Sequence, residues 1–248
     1  MLSLLRTPRW LGFTGLVIVV IVAFGLLSLW QWHRAEEKRA DRIEFQAALA
    51  STVIPLTDLE LGAGVLADAD VWRQVSATGE YVAGTEVLAR KRPLDARNGF
   101  WALAALRQAD GRVLWVNRGW LPATGDALSS PVVPAPPSGR VEVIGYVRAF
   151  EEAAAGANDG LPGGQIGAVA PSALPSTGPA YPGYLQLAES TPPEEELIAV
   201  PLPTVDEGRN ISYAIQWLIF AAVALGGWFL FLRREAREDA MAESVTPG

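Results

Sequence analysis

The chain has 248 residues, half of them hydrophobic, with 20 Lys and Arg against 27 Asp and Glu, a formal net charge of −7, one His and no Cys. An acidic balance of this size argues against nucleic acid and against any globally anionic partner. With no Cys, a lone His33 and methionines only at positions 1 and 241, no soft or imidazole-rich metal cluster can be assembled within one chain, which sets aside copper delivery by the protein itself.

Residues 1–9 carry Arg6 and Arg9 and no acid. They precede a charge-free apolar run, Trp10 to Trp32, matched near the other end by Asn210 to Leu232. Each run, as helix, spans roughly 34 Å and fits a hydrocarbon core of about 30 Å with modest tilt. The first ends in Leu29-Trp30-Gln31-Trp32 with no small-residue cleavage site, so it reads as a retained span, and Trp10, Trp30 and Trp32 read as interfacial anchors. Two spans return the chain to its starting side. Arg6 and Arg9 in front and Arg233, Arg234 and Arg237 behind predict both ends in the cytoplasm, with the middle outside it across the plasma membrane. Arg34, Lys38, Arg39 and Arg42 follow the first span on the far side, interleaved with Glu36, Glu37 and Asp41.

From His33 to about Ala50 strong helix formers and alternating charges predict a solvated helical stalk. Period-two alternation then predicts strands over Trp72–Tyr81, Glu86–Arg90, Phe100–Arg107, Arg112–Arg118, Val141–Arg148 and Tyr184–Leu187. Asn98-Gly99 and Asp110-Gly111 supply turn chemistry between them. Ser129–Gly139 is Pro-rich, and Glu151–Gly183 combines Gly, Pro, Ala and Ser, a composition that predicts a long flexible loop with little apolar surface to bury. The expected fold class is therefore an α+β membrane protein: two transmembrane helices flanking an antiparallel β-rich extracytoplasmic domain over residues 51–209.

Four groups of residues invite a functional reading. His33 sits where the first helix leaves the bilayer, at a depth where a haem iron or a protonatable switch is addressable; the plainer reading is a polar-aromatic side chain at headgroup level. Asn210, Tyr213 and Trp217 share a helical face with Gln216 beside them, and uncharged polar groups this close to lipid bond either to the first span or to a partner. Ala222 and Gly226 make a small-xxx-small step deeper in that helix. Arg90, Lys91, Arg92 and Arg97, with Arg118 beyond them, form either a grip for carboxylates, haem propionates included, or a solvated sheet edge. No GxSxG elbow accompanies the single His, so a catalytic triad is not expected and the chain does not read as an enzyme.

Four blocks in order, Trp30-Gln31-x-x-Arg34-x-x-x-Lys38, Val116-Asn117-Arg118-Gly119-Trp120-Leu121-Pro122, Gly139-Arg-Val-Glu-Val-Ile-Gly145-x-Val-Arg148 and Tyr213-Ala-x-x-Trp217, resemble the surfeit locus protein 1 family. The resemblance implies a membrane-bound assembly factor for haem-copper cytochrome c oxidase, acting where haem a enters the catalytic subunit. It implies that subunit or its assembly intermediates as partner, with Trp30, Gln31, Arg34, Asn117, Arg118, Trp120, Asn210, Tyr213, Gln216 and Trp217 as candidate contacts. Members proposed to bind haem a commonly carry a His at the entry to the second helix, where this chain reads Arg209-Asn210-Ile-Ser-Tyr213. A haem ligand would have to come from His33, so contact-based assembly is preferred over direct chaperoning of haem a. A membrane-tethered envelope scaffold unrelated to the oxidase is the remaining alternative.

Overall fold

The structure, a computed structural model, describes residues 6–59, 65–125, 129–204 and 206–245. The chain divides into two compact units, one made of both terminal regions up to Glu44 and from Thr204, the other spanning Phe45–Pro203.

The helical unit pairs α1 (Pro8–Leu49) with α2 (Gly208–Val245). Pro8 opens α1, where its missing N–H is no loss, and the helix continues through the apolar run and the charged stretch without a break. Side-chain contacts run antiparallel along the pair. Trp228 donates to Thr14 (3.1 Å), Trp217 stacks on Phe24 (5.4 Å between centroids), and the Ser28 hydroxyl donates to the Ala214 carbonyl (2.9 Å). Asn210 donates to Gln31 (2.8 Å) and accepts from Lys38 (2.9 Å); Arg42 pairs with Glu207 (2.7 Å). Outward residues such as Val19, Leu26, Val223 and Leu230 are more than half exposed. Both helices are long and apolar enough to cross a membrane, and their apolar stretches are almost unburied, which no helix of a water-soluble core tolerates. They mark a membrane-anchored protein.

The β unit closes on itself. Strand β2 (Gln74–Tyr81) pairs with β6 (Arg140–Arg148), β6 with β8 (Ala180–Thr191), β8 with β5 (Val113–Pro122), β5 with β4 (Gly99–Gln108), and β4 returns to β2 at Gly79–Tyr81. All of these ladders are antiparallel except β5–β8, which is parallel. A five-stranded barrel of this connectivity, with its third and fifth strands parallel, is that of the OB-fold. Short strands extend it: β1 (Ile54–Pro55) lies parallel to β2, β3 (Val87–Ala89) antiparallel to the far end of β4, and β7 (Gln165–Ile166) parallel to β3. The sheet is thus mixed and not the antiparallel one expected. Alternation reports which residues face a core and says nothing of strand direction.

Val75, Ala77, Leu106, Leu114, Val116, Val141, Val143 and Leu185 fill the barrel, each at most 6% exposed. Closure brings backbones very close. A Cβ on Gly79 would lie 2.2 Å from the Arg107 carbonyl oxygen where β2 meets β4, and one on Gly145 would lie 2.3 Å from that of Gln186, at a bulge between β6 and β8.

A second core lies on the outer face of β3, β4, β5 and β8, and here another expectation is corrected. Ile166 and Val169 of the Gly- and Pro-rich stretch are 4% and 0% exposed, packed with Val87, Leu103, Trp115 and Tyr184, while Phe150 and Leu174 lean on the same cluster. Residues 151–179 act as a strap over this face, and Ala180–Gly183 already belong to β8. A few apolar side chains suffice because the sheet presents a ready apolar surface. Val169→Ala should lower the stability of the detergent-solubilised full chain by about 2 kcal/mol. The same change at Val132, which is 92% exposed, should leave the melting temperature unchanged. Equal melting of the two variants would mean that the strap bears no load.

Candidate functional site

Strand β5 alternates regularly from Val113 to Asn117 and then slips. Ala102 pairs with Gly119 and Leu103 with Asn117, which leaves Arg118 as the extra residue of a bulge. The block Val116 to Pro122 therefore lies inside β5, which runs four residues beyond the predicted strand. The bulge sends the Arg118 side chain into the protein, where none of it is exposed. Its Nε and Nη2 donate to the two carboxylate oxygens of Glu194 (2.6 and 2.7 Å), Nη1 to the Pro134 carbonyl (2.8 Å) and Nη2 also to that of Ala135 (3.3 Å). One guanidinium thus ties the Pro-rich segment around 134 and the acidic segment around 194 to the barrel wall. At Gly119 a Cβ would lie 2.7 Å from the Leu197 side chain, so Gly lets residues 197–198 close over β5. Trp120, 1% exposed, exchanges backbone hydrogen bonds with Ile198 and donates its indole N–H to the Arg92 carbonyl (2.6 Å).

Arg92 in turn pairs with Glu151 at 2.5 Å and lies 4.1 Å over the Trp101 ring, while Arg97 lies 5.4 Å from the Trp120 ring. The basic loop is therefore partly spent on internal contacts. Arg90 and Lys91 line an open cleft with Asn98 and Phe100.

The candidate contacts separate into three kinds. Asn117, Arg118 and Trp120 are 1%, 3% and 1% exposed, so as contact residues they are corrected to positioning residues: they shape the surface and cannot be touched on it. Asn117 is buried with neither amide atom bonded among the described residues. On the helices, Gln31, Asn210 and Trp217 are used between α1 and α2, and Arg34 bonds Glu37 on its own helix (3.0 Å). The face expected to hold Asn210, Tyr213 and Trp217 together is split. Trp30 (58% exposed), Tyr213 (47%) and Gln216 remain outward. Glu194, Glu151 and Tyr81, whose ring lies 5.8 Å from the Arg118 guanidinium, are not identifiable in the sequence as parts of this site. Three consecutive acids, Glu194 to Glu196, give no sign of which one meets a buried arginine.

A family model described as the SURF1 family matches residues 18–222. An uncharacterized SURF1-like protein of Mycobacterium bovis is 30% identical over 261 aligned residues, covering 99% of this chain and 92% of its own length, and SURF1-like proteins from two strains of Mycobacterium tuberculosis match to the same extent. The chain belongs to the SURF1 family. Membership supports a role in cytochrome c oxidase assembly at the level of the family, whose members are assembly factors and generally not enzymes.

His33, the one imidazole of this SURF1 chain, is 72% exposed on α1 with Nδ1 3.5 Å from the Glu36 carboxylate. An exposed ring beside a carboxylate is not the enclosed apolar surround that a haem iron ligand requires, and the surroundings of His33 do not fit that group.

Two outcomes test the site. Removing one partner of a buried ion pair strands the other, so Arg118→Ala should destabilise the full chain by about 3–5 kcal/mol. Arg118→Lys should recover little, because an ammonium cannot bridge two carboxylate oxygens and two carbonyls. Wild-type melting of Arg118→Ala would remove Arg118 from the centre of the fold.

The second outcome is alkaline. Burial holds the Tyr81, Tyr181 and Tyr184 hydroxyls protonated above the ordinary value of 10.0, with the Glu194 charge adding to the effect at Tyr81. Above that value the unfolded chain holds fewer protons than the folded one, so this contribution to stability is whole below pH 10 and falls as pH rises through the folded values. The melting temperature should decline above about pH 10, and less steeply in Tyr81→Phe. Parallel profiles for the two proteins would show that Tyr81 does not ionise on unfolding.

Proposed function

We propose that this protein is a plasma-membrane assembly factor that assists maturation of the cytochrome c oxidase catalytic subunit around haem a insertion, and that it acts through protein contacts. The observation that carries the reading is the family match over residues 18–222, which takes in most of the first span, the entire β unit and the first half of the second span. Arginines at both tails support cytoplasmic ends and a barrel outside the cytoplasm. The partner is the catalytic subunit or an assembly intermediate containing it. Trp30 and Tyr213 are the outward side chains we assign to that contact, and Asn117, Arg118 and Trp120 hold the barrel surface in shape. Haem a is handled by the partner, because His33 lacks the surroundings of an iron ligand.

The test is deletion followed by complementation, read as oxidase activity and the haem absorbance spectrum of the membranes. Loss of both on deletion, with full recovery by wild type and by His33→Ala, is expected. Unchanged oxidase in the deletion strain would shift the reading to an envelope scaffold. Stoichiometric haem on the purified protein that disappears in His33→Ala would make it a haem chaperone.

A further inference from the structure

We propose that the side of α2 turned away from α1 is a self-association seam, on which a second copy of this chain docks with Gln216 bonded to Gln216 of the copy. The inference is independent of the oxidase reading.

Residues Asn210, Ala214, Trp217 and Trp228 turn toward α1. On the opposite side, at steps of four and three, stand Ser212, Gln216, Ile219, Val223, Gly226 and Leu230. Ile219, Val223 and Leu230 are 55%, 66% and 67% exposed, and nothing lies within 4 Å of a Cβ built on Gly226. Within the apolar spans, the side chains of Thr14, Ser28, Gln31, Asn210 and Ser212 each have a hydrogen bond inside the helical unit. Gln216 is exposed and has no polar partner among the described residues.

Its depth makes that lack informative. Ser28 meets Ala214 and Phe24 meets Trp217, so Gln216 lies level with about Leu26, on the hydrocarbon side of Trp30 and Trp32. Lipid tails offer an amide no donor and no acceptor. An occupant of this seam must supply both at one level and tolerate apolar contact along the rest. A second copy meets each demand. A two-fold axis along the membrane normal sets the two α2 helices parallel and places every seam residue opposite itself. A primary amide both donates and accepts, so two Gln216 side chains satisfy one another reciprocally. Gly226, with Ala222 one turn before it, lets the backbones approach, and Gln216, the polar seam position not already bonded within its own helix, fixes the register.

Because the chain has no Cys, single cysteines report cleanly on this contact in the full-length protein in its own membrane. Ile219→Cys and Val223→Cys should give an oxidative cross-linked dimer, whereas Leu218→Cys and Leu225→Cys, also exposed but off the seam, should not. Adding Gln216→Leu to Ile219→Cys should reduce the dimer by about fivefold or more. The Ser28→Cys/Ala214→Cys pair should still cross-link within one chain, which shows that the helices remain paired in that variant. Equal dimer from all four single positions, an unchanged yield with Gln216→Leu, or capture of a different protein at Ile219→Cys would each overturn the proposal.

Discussion

A single guanidinium buried at a bulge organises the β unit. The Arg118 side chain has no exposed surface, and its bonds to Glu194 and to two backbone carbonyls draw together segments some sixty residues apart in the chain that make almost no regular structure of their own. Full desolvation makes this arrangement conditional. With all partners in place the charge is compensated, and with any one missing it becomes a liability. The barrel, its acidic flap and the Pro-rich segment are therefore coupled, and Trp120 two residues on extends the coupling to the basic loop through the Arg92 carbonyl.

Coupling of this kind suits an assembly factor. In this SURF1 chain the shape of the barrel surface depends on side chains buried beneath it, Asn117, Arg118 and Trp120 among them. Trp101 and Trp120 carry arginines over their rings, and the Arg92–Glu151 pair joins the basic loop to the strap. The loops on either side of β3 and β7, which in other barrels of this connectivity are open to ligands, are laced to one another here.

Much of this was legible in the sequence. Both apolar runs lie within helices, and each period-two segment falls on a strand, three of them overrunning its ends by one or two residues, because a face buried against a core or a bilayer imposes its period on the chain. What escaped has definite physical causes. The parallel β5–β8 ladder leaves no trace in alternation, and the strap hid Ile166 and Val169 among Gly and Pro, where composition outweighed two decisive side chains. Arg118 drew notice as a charge beside other charges. Its burial followed from a one-residue slip in register, and only the pairing of Ala102 with Gly119 reveals that slip.

Arg42 and Glu207 meet at 2.7 Å, and between them runs the whole of the β unit. The module is thus threaded as a closed loop whose two mouths are clasped by the helix pair. Such a tether trims the freedom of the denatured segment, by an amount that grows only with the logarithm of its length. The clasp keeps the two ends of that segment from drifting apart when it unfolds, in a chain that has no disulfide to serve the same end.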